Sequence, residues 1–232
     1  MRTLTTILTL TLLTLATLVS GQSKFSIGLT FSPNCSYRIL SPDSLNSFRF
    51  YTKQDLPRFG ITTGIRIKYD INEKLNLRLG FLYSEKGTKV VITKEDFPTT
   101  MLFENKLTVD VEYVYWDIPL ECQMNILSKE KLKICLTTGV SANIHFKSYA
   151  ITQYDKNKRD KTDETDYGGY TEYFRKMNFS ANLGIGMIYN IKKIDFLLQP
   201  IFRQDFVSAI DLHNVKLYHN TLGLEIGIFY KF

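Results

Sequence analysis

The sequence predicts an all-β chain: an eight-stranded antiparallel up-and-down transmembrane β-barrel preceded by a cleaved signal peptide. Three observations predict it. Apolar and polar residues alternate with period two through eight long segments. The connections between segments alternate between tight turns and long loops. The apolar faces carry aromatics at both ends of an aliphatic middle. Composition excludes other classes. A chain of 232 residues with 44% hydrophobic and 13% aromatic side chains is not disordered. Three cysteines are too few for a disulfide scaffold. A mean hydropathy of -0.12 is too polar for a bundle of membrane helices. The formal charge of +6 is spread along the chain with no dense basic stripe, so no nucleic-acid partner is expected.

The first element is an export signal over residues 1–21. Arg2 supplies its positive end, Leu4 to Val19 its uncharged run, and Val19-Ser20-Gly21 the residues a signal peptidase reads. Seven threonines within residues 1–21 make the segment too weakly apolar for a retained anchor. Cleavage is expected before Gln22, leaving residues 22–232 as one barrel domain.

The alternating segments follow at about 24–33, 59–71, 74–86, 107–126, 131–147, 176–191, 193–207 and 217–232. The third is the clearest. Leu75, Leu77, Leu79, Phe81 and Tyr83 share one face, and Asn76, Arg78, Gly80 and Ser84 share the other with Leu82. Most segments reach the roughly 9–11 residues a tilted strand needs to cross a bilayer. In the fourth, the apolar face changes parity between Tyr115 and Trp116, which predicts a β-bulge there. Asn72-Glu73, Ser128-Lys129-Glu130 and Lys192-Lys193 are tight turns. Long stretches at about 34–58, 87–106 and 148–175, and a shorter one near 211–216, close the other end. That asymmetry and the even strand number place the termini in the periplasm and the long loops outside the cell.

The apolar face is expected to point outward, against lipid. The polar face is rich in small residues such as Gly28, Gly64, Gly80, Gly139, Gly184 and Gly227, which suit a crowded interior. Phe25, Tyr69, Tyr189, Tyr230 and Phe232 form an aromatic girdle near the short turns. Phe31, Tyr83, Tyr113, Phe146, Phe179 and Phe202 form one near the long loops. The chain closes on Tyr230-Lys231-Phe232, which resembles the terminal signal of bacterial outer-membrane barrels. The expected partners are therefore outer-membrane lipids and, during insertion, the barrel-assembly machinery.

Eight strands enclose a space only wide enough for side chains. Arg66, Arg78, Asp117, Glu121 and Glu225 are expected near mid-depth as a structural ion network that plugs the lumen. Arg78 and Glu121 should pair, with Arg66 and Glu225 nearby. By parity His145 and His219 point inward at the external rim. Ser141 is too far from His145 for a hydrogen bond, and His219 could meet Asp205 or Asp211. The Asp-, Lys- and Tyr-rich loop at 152–176 lacks the spacing of a calcium loop and reads as a solvated or partner-binding surface. No cofactor, no metal site and no catalytic residue are expected.

Three stretches carry a family resemblance. Gly80-Phe81-Leu82-Tyr83-Ser84-Glu85-Lys86-Gly87 resembles the G-[FL]-x-Y-S-x-K-G motif of the PorT-like outer-membrane β-barrel family of Bacteroidota. Tyr115-Trp116-Asp117-Ile118-Pro119-Leu120 is similar to that family's Y-[aliphatic]-[DE]-[IL]-P-L segment, with Trp116 in place of the aliphatic residue. Gly60-Ile61-Thr62-Thr63-Gly64 is similar to its G-[FI]-x-x-G opening. The resemblance implies a small outer-membrane barrel, and in one branch a role in gliding-associated (type IX) protein secretion. It transfers no functional residue. The expectation is a non-enzymatic barrel with a plugged lumen that presents loops to secretion or surface proteins or stabilises the envelope. The alternatives are a rim-active lipid hydrolase or acyltransferase, and a narrow channel.

Overall fold

A computed structural model describes residues 24–41, 55–93, 106–154, 158–163, 174–210 and 216–232. The expected signal peptide and the tips of the long loops fall outside the described residues. The strands are β1 (Phe25–Leu40), β2 (Asp55–Asp70), β3 (Leu75–Thr93), β4 (Lys106–Ser128), β5 (Leu132–Tyr154), β6 (Lys158–Asp163), β7 (Met177–Ile191), β8 (Ile194–Asp205) and β9 (Leu217–Lys231). Eight of them form an antiparallel ring. Each neighbours the next, β5 passes to β7, and β9 returns to β1 from Ser26↔Lys231 to Leu40↔Leu217. Closure leaves no unpaired backbone edge within the bilayer, where one would cost several kcal/mol per group.

Alternation drives this architecture, and its sense is the reverse of a water-soluble core. Leu29 is 67% and Ile185 61% exposed on the outer wall, whereas Arg66 and Glu121 are 0% exposed inside. Large apolar side chains out and charges in is stable only where lipid covers the wall. The inner face needs small residues to seat large ones. A Cβ built on Gly28 would sit 2.5 Å from the Phe229 ring and from the carbonyl of Ile228, and one on Gly184 would sit 2.4 Å from the Gln199 amide.

Strands run farther toward the long loops than alternation predicts. β1 continues to Leu40, β2 begins at Asp55, β3 continues to Thr93, and β5 continues to Tyr154, paired with β4 from Leu107↔Tyr154 onward. β6, which alternation does not reveal, adds to this extension by pairing with Tyr149–Tyr154 of β5. Beyond the membrane neither face needs to be apolar, so the hydropathy signal disappears while the ladder hydrogen bonds continue.

One register expectation is corrected. β4 keeps a single parity through Tyr115 and Trp116, and Tyr113, Tyr115, Asp117 and Glu121 are all buried in the lumen. The irregularity lies on the partner strand: Val114 faces Lys147 and Tyr115 faces His145, so Phe146 is the extra residue on β5. Tyr113 therefore belongs to the interior and not to the outer girdle. The two tyrosines misled the pattern because their rings read as apolar. Inside, Tyr113 meets His219 at 5.0 Å and Tyr115 meets His145 at 5.4 Å between ring centroids.

Candidate functional site

The polar lumen is the candidate site, and it is built in layers from the short-turn end. The first layer is Asp195 at the start of β8. Its carboxylate accepts from Lys68 at 2.8 Å, from Lys231 at 2.8 Å and from the Asn190 amide at 2.6 Å. Above it Cys135, Ile188, Leu197 and Phe229 form a small apolar layer. Alternation turns one residue from each of four strands inward to make this cluster.

The next layer is the plug. Arg66 on β2 donates through Nη1 to Glu121 and through Nη2 to Glu225, both at 2.7 Å. Arg78 on β3 donates to the other oxygen of Glu225 and, through Nη1, to Gln199 at 3.2 Å. Arg203 on β8 adds a third guanidinium 3.5 Å from Glu225. Asn182 donates to Glu121 at 3.1 Å and to Ser141 at 2.8 Å. Guanidinium forks suit this role because each engages two carboxylates at once in fixed geometry.

Nearer the long loops, Lys86 lies 3.8 Å from Asp117 and 3.5 Å from Asp205, with its ammonium 4.9 Å from the centre of the Tyr115 ring. Asp205 also lies 3.2 Å from Nδ1 of His219. His145 sits 2.7 Å from the Ser148 hydroxyl. That pairing exists because the bulge at Phe146 turns Ser148 inward three residues after His145. A hydroxyl against an imidazole is the kind of contact that base-assisted chemistry uses.

The buried charges balance. Arg66, Lys68, Arg78, Lys86 and Arg203 are five cations, and Asp117, Glu121, Asp195, Asp205 and Glu225 are five anions, among the described residues. Each charge has an opposite charge within 4 Å. Of the five residues expected at mid-depth, the structure brings Arg66, Arg78, Glu121 and Glu225 together and places Asp117 apart, with Lys86. Arg78 and Glu121 do approach, at 3.4 Å, but the closer partners are Arg78 with Glu225 and Arg66 with Glu121. Long side chains reach across the lumen in preference to the adjacent rung. Sequence reasoning missed Gln199, Asn182, Lys86 and Ser148. Parity alone places Gln199, Asn182 and Lys86 on the inner face, and glycines at 184 and 186 mark the space that Gln199 fills. Ser148 carries no such signal, since the bulge reverses its parity.

A closed eight-strand ring with a lipid-ready wall and a charge-paired interior is the build of an integral outer-membrane β-barrel protein. Residues 19–206 match the family described as outer membrane protein beta-barrel domain, and the chain belongs to that family of the bacterial outer membrane. No curated protein matches it in sequence. Among solved structures it is similar to Neisserial surface protein A, with 12% identity, 90% of this chain and 97% of that chain covered, and a TM-score of 0.47. It is similar to the outer membrane protein OprG from Pseudomonas aeruginosa, with 11% identity, the same coverages and a TM-score of 0.42. It is also similar to the outer membrane protease OmpT from Escherichia coli, with 7% identity, 90% and 97% coverage and a TM-score of 0.42. That last finding corrects the expectation that the chain is not an enzyme. An outer membrane protease stands among the solved structures of similar build.

Proposed function

We propose that this barrel presents its external sheet and loops to protein partners from a plugged, non-conducting base in the outer membrane. The reading takes residues 1–21 as the removed signal peptide and 22–232 as the mature barrel. The termini face the periplasm, the long loops face outward, and Tyr230 and Phe232 serve the assembly machinery. It places the chain with the PorT-like barrels of Bacteroidota and links its partners to protein secretion. The observation that carries the proposal is strand length. β3, β4 and β5 run 19, 23 and 23 residues, about twice the ~9–11 that cross a bilayer. The surplus, with β6 beside it, supports a sheet standing clear of the membrane on the long-loop side. The interlocked plug beneath supports a fixed platform in place of a conduit.

Affinity purification of the tagged barrel from native outer membranes tests this. Stoichiometric secretion or surface proteins are expected, and they should be lost when β6 and its flanking loop are replaced by a short turn. Recovery of the barrel alone would remove partner presentation and leave envelope stabilisation as its role.

A further inference from the structure

The short-turn mouth of the barrel holds a cavity of about 300 Å³ that the plug has no use for. Its floor is the Lys68–Asp195 pair and Ile188, and its walls come from the starts of β3 and β5, the end of β4 and the β2–β3 turn. Two wall residues are unusual. Asn76 is 3% and Asn125 8% exposed, and the Oδ1 atom of each is buried without a hydrogen-bond partner. Burying a carbonyl oxygen unpaired costs about 1–3 kcal/mol. The orientation of Asn125 is fixed, because its Nδ2 donates to the Glu73 carbonyl at 2.8 Å. Both residues line the cavity. Their amide oxygens are acceptors waiting for a donor, on the side where Asp70 and Glu73 also stand.

The opposite chemistry lines the same space. Lys24 and Lys133 face the cavity and make no ion pair among the described residues, whereas Lys68 is held by Asp195 and lies 3.6 Å from Asp70. One cavity therefore offers acceptors for an ammonium group and cations for a carboxylate. Its size lies at the lower end of the small-molecule range. Ile188 also belongs to the apolar cluster, and the arginine–glutamate network lies beyond it toward the long loops.

We propose that this cup binds a short zwitterionic peptide. Its ammonium group is received by Asn76 and Asn125 with the carboxylates of the β2–β3 turn, and its carboxylate by Lys24 and Lys133. In the orientation proposed above the mouth opens to the periplasm, where the peptide comes either from the cell wall or from soluble fragments.

The test titrates the full-length mature barrel in detergent micelles with the tripeptide Ala-Glu-Lys by calorimetry. The same peptide with acetylated amino groups and an amidated C-terminus is the control. Saturable binding of the free peptide is expected, with affinity falling about tenfold or more for the capped peptide, for Lys133→Met and for Asn76→Ala. Lys24→Met, at an exposed position outside the strands, guards against loss through misfolding and should also weaken binding. Co-sedimentation with isolated cell-wall sacculi then assigns the source: retention means wall peptides, and binding only of the free tripeptide means soluble ones. No saturable binding, or equal binding of the capped peptide, overturns the proposal. Micelle binding does not depend on orientation. Labelling of Lys24→Cys in intact cells tests orientation separately, so the two failures are distinguishable.

Discussion

Replacing Glu225 by alanine is expected to lower the unfolding free energy of the barrel by roughly 3–5 kcal/mol. Its two carboxylate oxygens receive Arg66 and Arg78, and Arg203 stands 3.5 Å away. All four side chains are buried. Without Glu225, three guanidiniums face one another around Glu121 alone, in a space that water enters poorly. The penalty is the stranded charge more than the lost contacts. Glu225→Gln, which keeps the shape and one acceptor, should cost less than alanine. Urea unfolding in lipid vesicles reads both. A loss below about 1 kcal/mol for the alanine variant, the range of an exposed pair, would mean that the lumen is hydrated and the plug is not load-sharing.

Arginine at Ile185 is expected to cost about 2–4 kcal/mol, whereas arginine at Ile194 should cost about 0–1 kcal/mol. Both side chains face outward and are similarly apolar. They differ in depth: Ile185 pairs with Leu136 well along β7, whereas Ile194 opens β8 beside its tight turn. In lipid the charge at the deeper site must be buried or reach for a headgroup, and the shallow one already lies at the interface. The same vesicle unfolding assay compares them. Equal costs at the two depths would mean that no hydrocarbon covers this wall.

The fold was legible because the bilayer imposes a strict rule on both faces of each strand. Leu75 to Ser84 state that rule in sequence, and the ring follows it. Legibility ended where the rule ends. Val90 and Thr93 of β3, or Tyr149 to Tyr154 of β5, lie in strands that hydrogen bonds maintain without a hydropathy requirement, so β6 beside them was invisible. The inward position of Arg66, Arg78, Glu121 and Glu225 was likewise readable from parity. Who pairs with whom was not, since Arg66 on β2 meets Glu225 on β9, two strands round the ring and 159 positions away in the chain. Tyr113 shows a different limit. A tyrosine is apolar by its ring and polar by its hydroxyl, so alternation assigned it to lipid while the register seats it against His219. The bulge at Phe146 then moved Ser148 to His145, a contact that no spacing rule contains.

The central claim is that the apolar wall lies in lipid, and the chain's single tryptophan can report on it. Trp116 stacks on Phe81 at 4.9 Å and meets Phe146 edge-on at 6.2 Å, with both rings exposed on the outer wall toward the long loops. Tryptophan emission should be compared in vesicles whose acyl chains carry bromine near the headgroup or near the chain end. The account predicts strong quenching, greater with the bromines near the headgroup. Emission unchanged by either lipid would place Trp116 away from the bilayer and contradict the outward assignment of the apolar face.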